Sequence, residues 1–211
     1  MTASTTGPTK IFALAASGGD LFVGGSFIEA NVGAGIPANR IARWNGSAWQ
    51  ALGSGGGNGV DSNVNDLAVS GADLFVGGSF TQANVGASIP ANRIARWSNG
   101  TWQALGSSGG NGVNGSVSAL AASGGDLFVG GSFSEANVGV GIPANRIARW
   151  NGSNWQALGS GIGGFSGVSA LAVPAPDTVY VGGTFGSAGG KASSHIAFYG
   201  PDLPIFKDSF E

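Results

Sequence analysis

The chain has 211 residues, 41 of them glycine and 8 proline, with 42% hydrophobic and only 9% charged. Disordered chains show the reverse balance of apolar and charged residues, and the glycines follow no three-residue collagen period. Interior glycines at about 1 kcal/mol each relative to alanine exclude long helices. A formal net charge of −2 leaves no footprint for nucleic acid or an anionic membrane, and the absence of cysteine removes disulfides, thiolate metal sites and a cysteine nucleophile.

Residues 1–10 are small and polar and lack the apolar stretch of a signal peptide, so they are expected to be a disordered lead segment. Ile11 to Ala16 is the longest apolar run and far too short to span a bilayer, so no membrane insertion is expected. Either the chain is cytosolic or it is a piece of a longer protein that has lost its leader.

The next element opens a repeat. Asp20-Leu21-Phe22-Val23-Gly24-Gly25-Ser26-Phe27 recurs at Asp73 to Phe80 and Asp126 to Phe133, with a diverged copy at Asp177 to Phe185. The glycine doublets fall at 24, 77, 130 and 182. Pro-Ala-Asn-Arg-Ile-Ala-Arg-Trp ends at Trp44, Trp97 and Trp150, and Trp-Gln-Ala-Leu-Gly-Ser begins at Trp49, Trp102 and Trp155. Each copy reads as four strands, here Ile11 to Ala16, Leu21 to Gly25, Arg40 to Trp44 and Trp49 to Leu52, with a loop at Glu29 to Arg40. Asn45-Gly46, Asn99-Gly100 and Asn151-Gly152 are expected to form type I′ hairpin turns, in which both central residues need a positive φ. The Gly-Gly doublets are expected to make room for the tryptophan rings of the same or the adjacent repeat.

Four strands in roughly 50 residues, repeated, is the plan of a β-propeller. The glycine doublet, the first aromatic and the following Trp (Gly24-Gly25, Trp44 and Trp49, with their counterparts in copies two and three) resemble kelch repeats of the galactose-oxidase central-domain type. The fourth copy keeps Gly182-Gly183 and Tyr199 but has no second Trp. The resemblance implies an all-β propeller of four kelch-like blades of about 53 residues, at 11–63, 64–116, 117–167 and 168–199. It implies little about function, since kelch-type blades carry enzymes and binders alike. Residues 200–211 form a tail in which Ile205 to Phe210 offers the missing outer strand. A closed four-bladed ring is preferred over an open arc of a larger propeller, and an open arc would allow self-association. The Phe-Glu ending resembles a short C-terminal ending of some exported bacterial repeat proteins, which implies an extracellular or cell-surface location.

Chemistry-bearing residues are few. His195 stands where the other copies have Arg40, Arg93 and Arg146, and a structural role is preferred. With one His and no Cys, neither a zinc site nor galactose-oxidase copper-radical chemistry can be built, and no cofactor is expected. Asp20, Asp73, Asp126 and Asp177 recur at a turn and are expected to bond turn amides. Glu29 and Glu135 become Gln82 and Ser187, which argues against a shared acid–base role. Asp61 to Asp66 faintly resembles a calcium loop but lacks the glycine and distal Glu. Arg40, Arg43, Arg93, Arg96, Arg146 and Arg149 form the repeated cationic set, for which ion pairs between neighbouring blades are preferred over an anion-binding ring. Asn45, Asn99, Asn114 and Asn151 match the glycosylation pattern, but no glycan is assumed.

The functional expectation is a non-catalytic binding or structural module of an exported bacterial protein. Its repeated loops Asn31 to Asn39, Asn84 to Asn92 and Asn137 to Asn145 would present one face to a repetitive glycan or a protein. The alternative is a propeller-based hydrolase or lyase with its site at one end of the central channel. No catalytic, metal or cofactor residue is assigned.

Overall fold

The computed structural model describes residues 9–31, 35–164 and 167–200, and the backbone of the strand Leu203–Lys207. The expected lead segment thus lies outside the described residues for positions 1–8, as does the Phe-Glu ending. The described structure is all β, and no helix in it is long and apolar enough to cross a membrane.

Four antiparallel four-stranded sheets, one per copy, are the blades. Their inner strands are Ile11–Ser17, Val64–Ser70, Val117–Ser123 and Val168–Ala175. The second strands are Asp20–Gly25, Asp73–Gly78, Asp126–Gly131 and Thr178–Gly183, and the third are Ile41–Trp44, Ile94–Ser98, Ile147–Trp150 and Ile196–Gly200. Outer strands are Trp49–Ala51, Thr101–Ala104, Trp155–Ala157 and Leu203–Lys207. The tail therefore completes the fourth sheet through Leu203–Lys207, and positions 208–210 of the expected outer strand lie outside the described residues.

Local chemistry sets these strands. Ser17 pairs with Asp20 across Gly18 and Gly19, whose φ of 58° and 89° suit the hand of a two-residue hairpin. The Asn-Gly turns divide into two kinds. Asn99 and Gly100 have φ of 49° and 76° and join the paired residues Ser98 and Thr101, as expected for type I′. In blades one and three the Asn sits one residue earlier and only the glycine has a positive φ. There the Asn45 side-chain oxygen accepts from the Ser47 and Ala48 amides, and Asn151 does the same for Ser153 and Asn154. The carboxamide replaces the type I′ backbone geometry with a side-chain-anchored turn.

A second tier, read in the sequence as a plain loop, consists of short hairpins such as Gln82–Val85 with Ile89–Pro90. Each is joined by a strand from the preceding copy: Asn58–Val60 pairs with Gln82–Val85, Asn111–Val113 with Glu135–Val138, and Ile162–Gly163 with Ser187–Ala188. The first hairpin, Glu29–Ala30 with Ile36–Pro37, has only two strands.

The core lies between blades. One apolar cluster joins Phe22 and Ile41 to Val64, Leu67 and Trp102, a second joins Phe75 and Ile94 to Val117, Leu120 and Trp155, and a third joins Phe128 and Ile147 to Val168. A bulge near the start of each inner strand, between Val64 and Asp66 in blade two, lets residues three apart serve the same neighbour. The doublet does not house tryptophan rings. A Cβ on Gly24, Gly77 or Gly130 would meet the Val and Leu of the following inner strand, while one on Gly25, Gly78 or Gly131 would meet backbone carbonyl oxygens. The Trp pairs instead face each other across the third and outer strands, with ring centroids 5.3–5.6 Å apart.

Inner strands pack in succession from blade one to blade four, but no comparable packing joins Val168–Ala175 back to Ile11–Ser17 among the described residues. Ile11 and Leu14 are 52% and 63% exposed, whereas Val64 and Leu67 are 0% and 6%. Among the described residues no closure of the preferred four-bladed ring is seen, and the apolar faces that closure would cover are exposed.

Candidate functional site

The repeated charges converge on the ends of the second and third strands. Register places Arg43 opposite Phe22, Arg96 opposite Phe75 and Arg149 opposite Phe128, within reach of the aspartate that opens each second strand. Arg43 pairs with Asp20 at 2.7 Å and Arg96 with Asp73 at 3.2 Å, and Arg149 pairs with Asp126. Asp20, Asp73 and Asp126 thus serve arginines of their own blade rather than turn amides alone. Among the described residues, only Arg149 also crosses to the next blade, meeting Asp177 at 2.9 Å. The hydrogen bond from Arg149 to Asp126, aided by the charges of Asp126 and Asp177 against burial, holds its guanidinium more firmly protonated than usual. These pairs are half-exposed, so each is worth under about 1 kcal/mol.

Between blades one and two the same elements form a cleft of about 290 Å³, lined among others by Asp20, Arg43, Asp73, Trp97 and Asn99. It combines two carboxylates, a guanidinium, a carboxamide and an indole, with the Arg43 Nε buried and unpartnered among the described residues. Such a lining suits a polar, hydroxyl-rich ligand. The sequence marks Asp20, Arg43 and Asp73 as repeated charges, and Trp97 and Asn99 as a repeat aromatic and a turn residue; they meet in one cleft because blades stack side by side.

The other arginines do not join them. Arg40, Arg93 and Arg146 share a left-handed backbone with φ of 61°, 62° and 64°, and His195 has 73°. Their amides donate to Phe27, Phe80, Phe133 and Phe185 carbonyls. The lone histidine is exposed and holds a backbone position that recurs in each blade. The Arg146 guanidinium donates to the Ile162 carbonyl at 2.8 Å.

The carboxylates at Asp61 and Asp66 serve separate backbone amides. Asp61 accepts from the Thr81 and Gln82 amides and the Thr81 hydroxyl, which outweigh the upward push of burial and lower its pKa. Asp66 accepts from Leu67 in its own blade and from Leu120 in the next, yet burial prevails and raises its pKa. No group of three or more His, Cys, Asp or Glu among the described residues is placed to hold a metal.

The loops expected to recognise ligand are largely built into the fold. Asn84 and Asn137 are 3% and 1% exposed, and each clamps the preceding copy by accepting from a serine amide and donating to the same serine carbonyl, at Ser54 and Ser107. The hairpin tips around Gly86 and Gly139 remain exposed. The Trp102 and Trp155 indoles likewise donate to the Leu52 and Leu105 carbonyls of the preceding copy. Their equivalents in blade one, Asn31 and Trp49, are exposed and half-buried.

No protein-family model matches the chain, and no curated protein matches it. Among solved structures it is similar to the computationally designed Ika8 protein, at 21% identity and a TM-score of 0.54, over 89% of this chain and 45% of that one. The chain thus spans under half the length of Ika8. It is also similar to the computationally designed Ika4 protein, at 20% identity and a TM-score of 0.51 over 85% and 89% of the two chains. Similarity to the WD40 β-propeller domain of Doa1 is lower, at 10% identity and a TM-score of 0.49 over 94% and 67%. Likeness at these identities concerns fold alone. Four-stranded antiparallel sheets, packed inner strand to inner strand, make this chain a β-propeller-type repeat protein.

Proposed function

We propose that the chain is a non-catalytic binding module of kelch-like type, part of an exported bacterial protein, and that it binds a repetitive glycan in the clefts between blades. The observation that carries this reading is the cleft between blades one and two, where Asp20, Arg43, Asp73 and Asn99 surround Trp97. Carboxylates, guanidinium and carboxamide can bond sugar hydroxyls, and an indole supplies apolar contact for a sugar ring. The copies supply the same residue types 53 positions on, at Asp73, Arg96 and Asp126. Near-identical sites on one rigid body suit a polymer with repeating units, since linked weak contacts multiply.

The ion pairs favour binding over catalysis. Asp20 and Asp73, which line the cleft, are each ion-paired with an arginine of their own blade, an arrangement that supports a binding or structural role. The test is a glycan array with polysaccharide pull-down, using the full chain and its Arg43→Ala and Trp97→Ala variants. Retention on a repetitive polysaccharide, weakened by both substitutions, supports the reading. No retention on any glycan, or retention unchanged in both variants, overturns it.

A further inference from the structure

The contact between successive blades occurs three times with the same parts. A Cβ on Gly24, Gly77 or Gly130 would stand 2.4, 2.5 and 2.4 Å from a Cγ1 of Val64, Val117 or Val168, with Leu67, Leu120 or Leu171 next to it. The bare backbone of one second strand is thus the socket for a Val and a Leu on the next inner strand. Phe22, Phe75 and Phe128 on the same second strands are 8%, 5% and 1% exposed.

At the two ends of the chain this contact is left as unmatched halves. Blade four has the socket, but a Cβ on Gly182 would meet only Ala170 of its own blade, at 3.7 Å. Tyr180, in the place of those phenylalanines, is 41% exposed. Its ring packs on Phe198, which stands where the other blades carry Arg43, Arg96 and Arg149. Blade one has the plug: Ile11 and Leu14 hold the positions of Val64 and Leu67 and are 52% and 63% exposed. Beside them an apolar pocket of about 170 Å³ is lined by Ile11, Val23, Phe27, Ala42 and Trp49 among others.

We propose that the plug of one copy enters the socket of a second copy, and that two copies close head to tail into one ring of eight blades. The occupant is argued from the chain itself, because both halves of an interface already made three times are present on each copy. Phe198 in place of arginine makes the socket apolar, so the junction needs no cross-blade ion pair of the Arg149–Asp177 kind. Two identical head-to-tail contacts related by a twofold axis close a ring, and eight blades is within the range propellers adopt. The proposal rests on the inner-strand contact alone and requires no partner for the Glu29–Ala30 edge.

The test is the solution mass of the full chain by light scattering and sedimentation over a wide concentration range. A particle of twice the 20.7 kDa chain mass is expected. Gly182→Trp and Leu14→Glu should each give folded monomers, with folding checked by circular dichroism. An equimolar mixture of the two variants should restore pairing, because one retains an intact plug and the other an intact socket. A monomer at every concentration overturns the proposal, as do open-ended polymers or a dimer that survives both substitutions. Should either variant fail to fold, Tyr180→Lys, which alters the exposed rim of the socket, provides the same comparison.

Discussion

Gly77 lies against Val117 of the next blade so closely that a Cβ on the glycine would stand 2.5 Å from the valine Cγ1. Gly24 with Val64 and Gly130 with Val168 repeat the relationship. The glycine excess is therefore partly a packing device, by which the side chain missing from one blade is supplied by the next.

Emptying the socket should cost as much as filling it. Leu67 is 6% exposed and packs over Gly24. Leu67→Ala should destabilise the chain by about 2–5 kcal/mol through lost burial and a residual cavity. Urea unfolding measures it directly, and Leu14→Ala in dilute protein should cost well under 1 kcal/mol because Leu14 is already in water.

Asn84 joins two copies by clamping both backbone groups of Ser54. Asn84→Ala would strand the Ser54 amide, at about 1–3 kcal/mol where water does not reach it, while the Ser54 carbonyl keeps the Gly57 amide. The exposed Asn31, which makes no such clamp among the described residues, should tolerate the same substitution. Hydrogen exchange at the Ser54 amide should rise in Asn84→Ala and stay unchanged in Asn31→Ala.

The Trp102 indole donates to the Leu52 carbonyl at 2.9 Å in a buried site. Trp102→Phe keeps most of the apolar area and removes one of two bonds to that carbonyl, which still accepts from the Gly59 amide, at about 0.5–1.5 kcal/mol. Thermal midpoints should drop by about 2–4 °C per kcal/mol in a chain of this size. Trp49→Phe, whose indole bonds no carbonyl of another blade among the described residues, should leave the midpoint of dilute protein nearly unchanged.

Asp66 gives a pH dependence of defined sign. Burial raises its pKa above 3.8 in the folded chain, so the folded state holds the proton more tightly than the unfolded state. Its contribution to stability is therefore fully present below pH 3.8 and is lost as pH rises through the folded-state pKa. Asp61 runs the opposite way: its folded pKa lies below 3.8, so its contribution is present above that value and is lost on acidification. In Asp66→Asn the stability lost on raising the pH through the acid range should disappear, and in Asp61→Asn the loss on acidification should shrink. Urea midpoints across the acid range check both signs.

Strands and turns were legible where one residue decides them. The doublets, the Trp pairs and the turn at Asn99-Gly100 lie in the fold where the repeat places them. The bulge between Val64 and Asp66 was not legible, because strict alternation would send Val64 and Leu67 to opposite faces. Nor was the strand Asn58–Val60, which follows a glycine run and finds its partner only in the next copy, at Ala83 and Val85. The cleft at Trp97 and the open faces at Leu14 and Gly182 arise from stacking, so no single repeat reveals them.

The most direct measurement is urea unfolding of Gly77→Val and Gly182→Val, in protein dilute enough to dissociate any assembly. Within the stack, the added side chain meets Val117 and should cost at least about 1–3 kcal/mol by overpacking. At Gly182 it meets open space, and the midpoint should remain that of the unsubstituted chain. Equal losses at the two positions, or none at Gly77, would contradict an array of blades joined by glycine sockets and open at its ends.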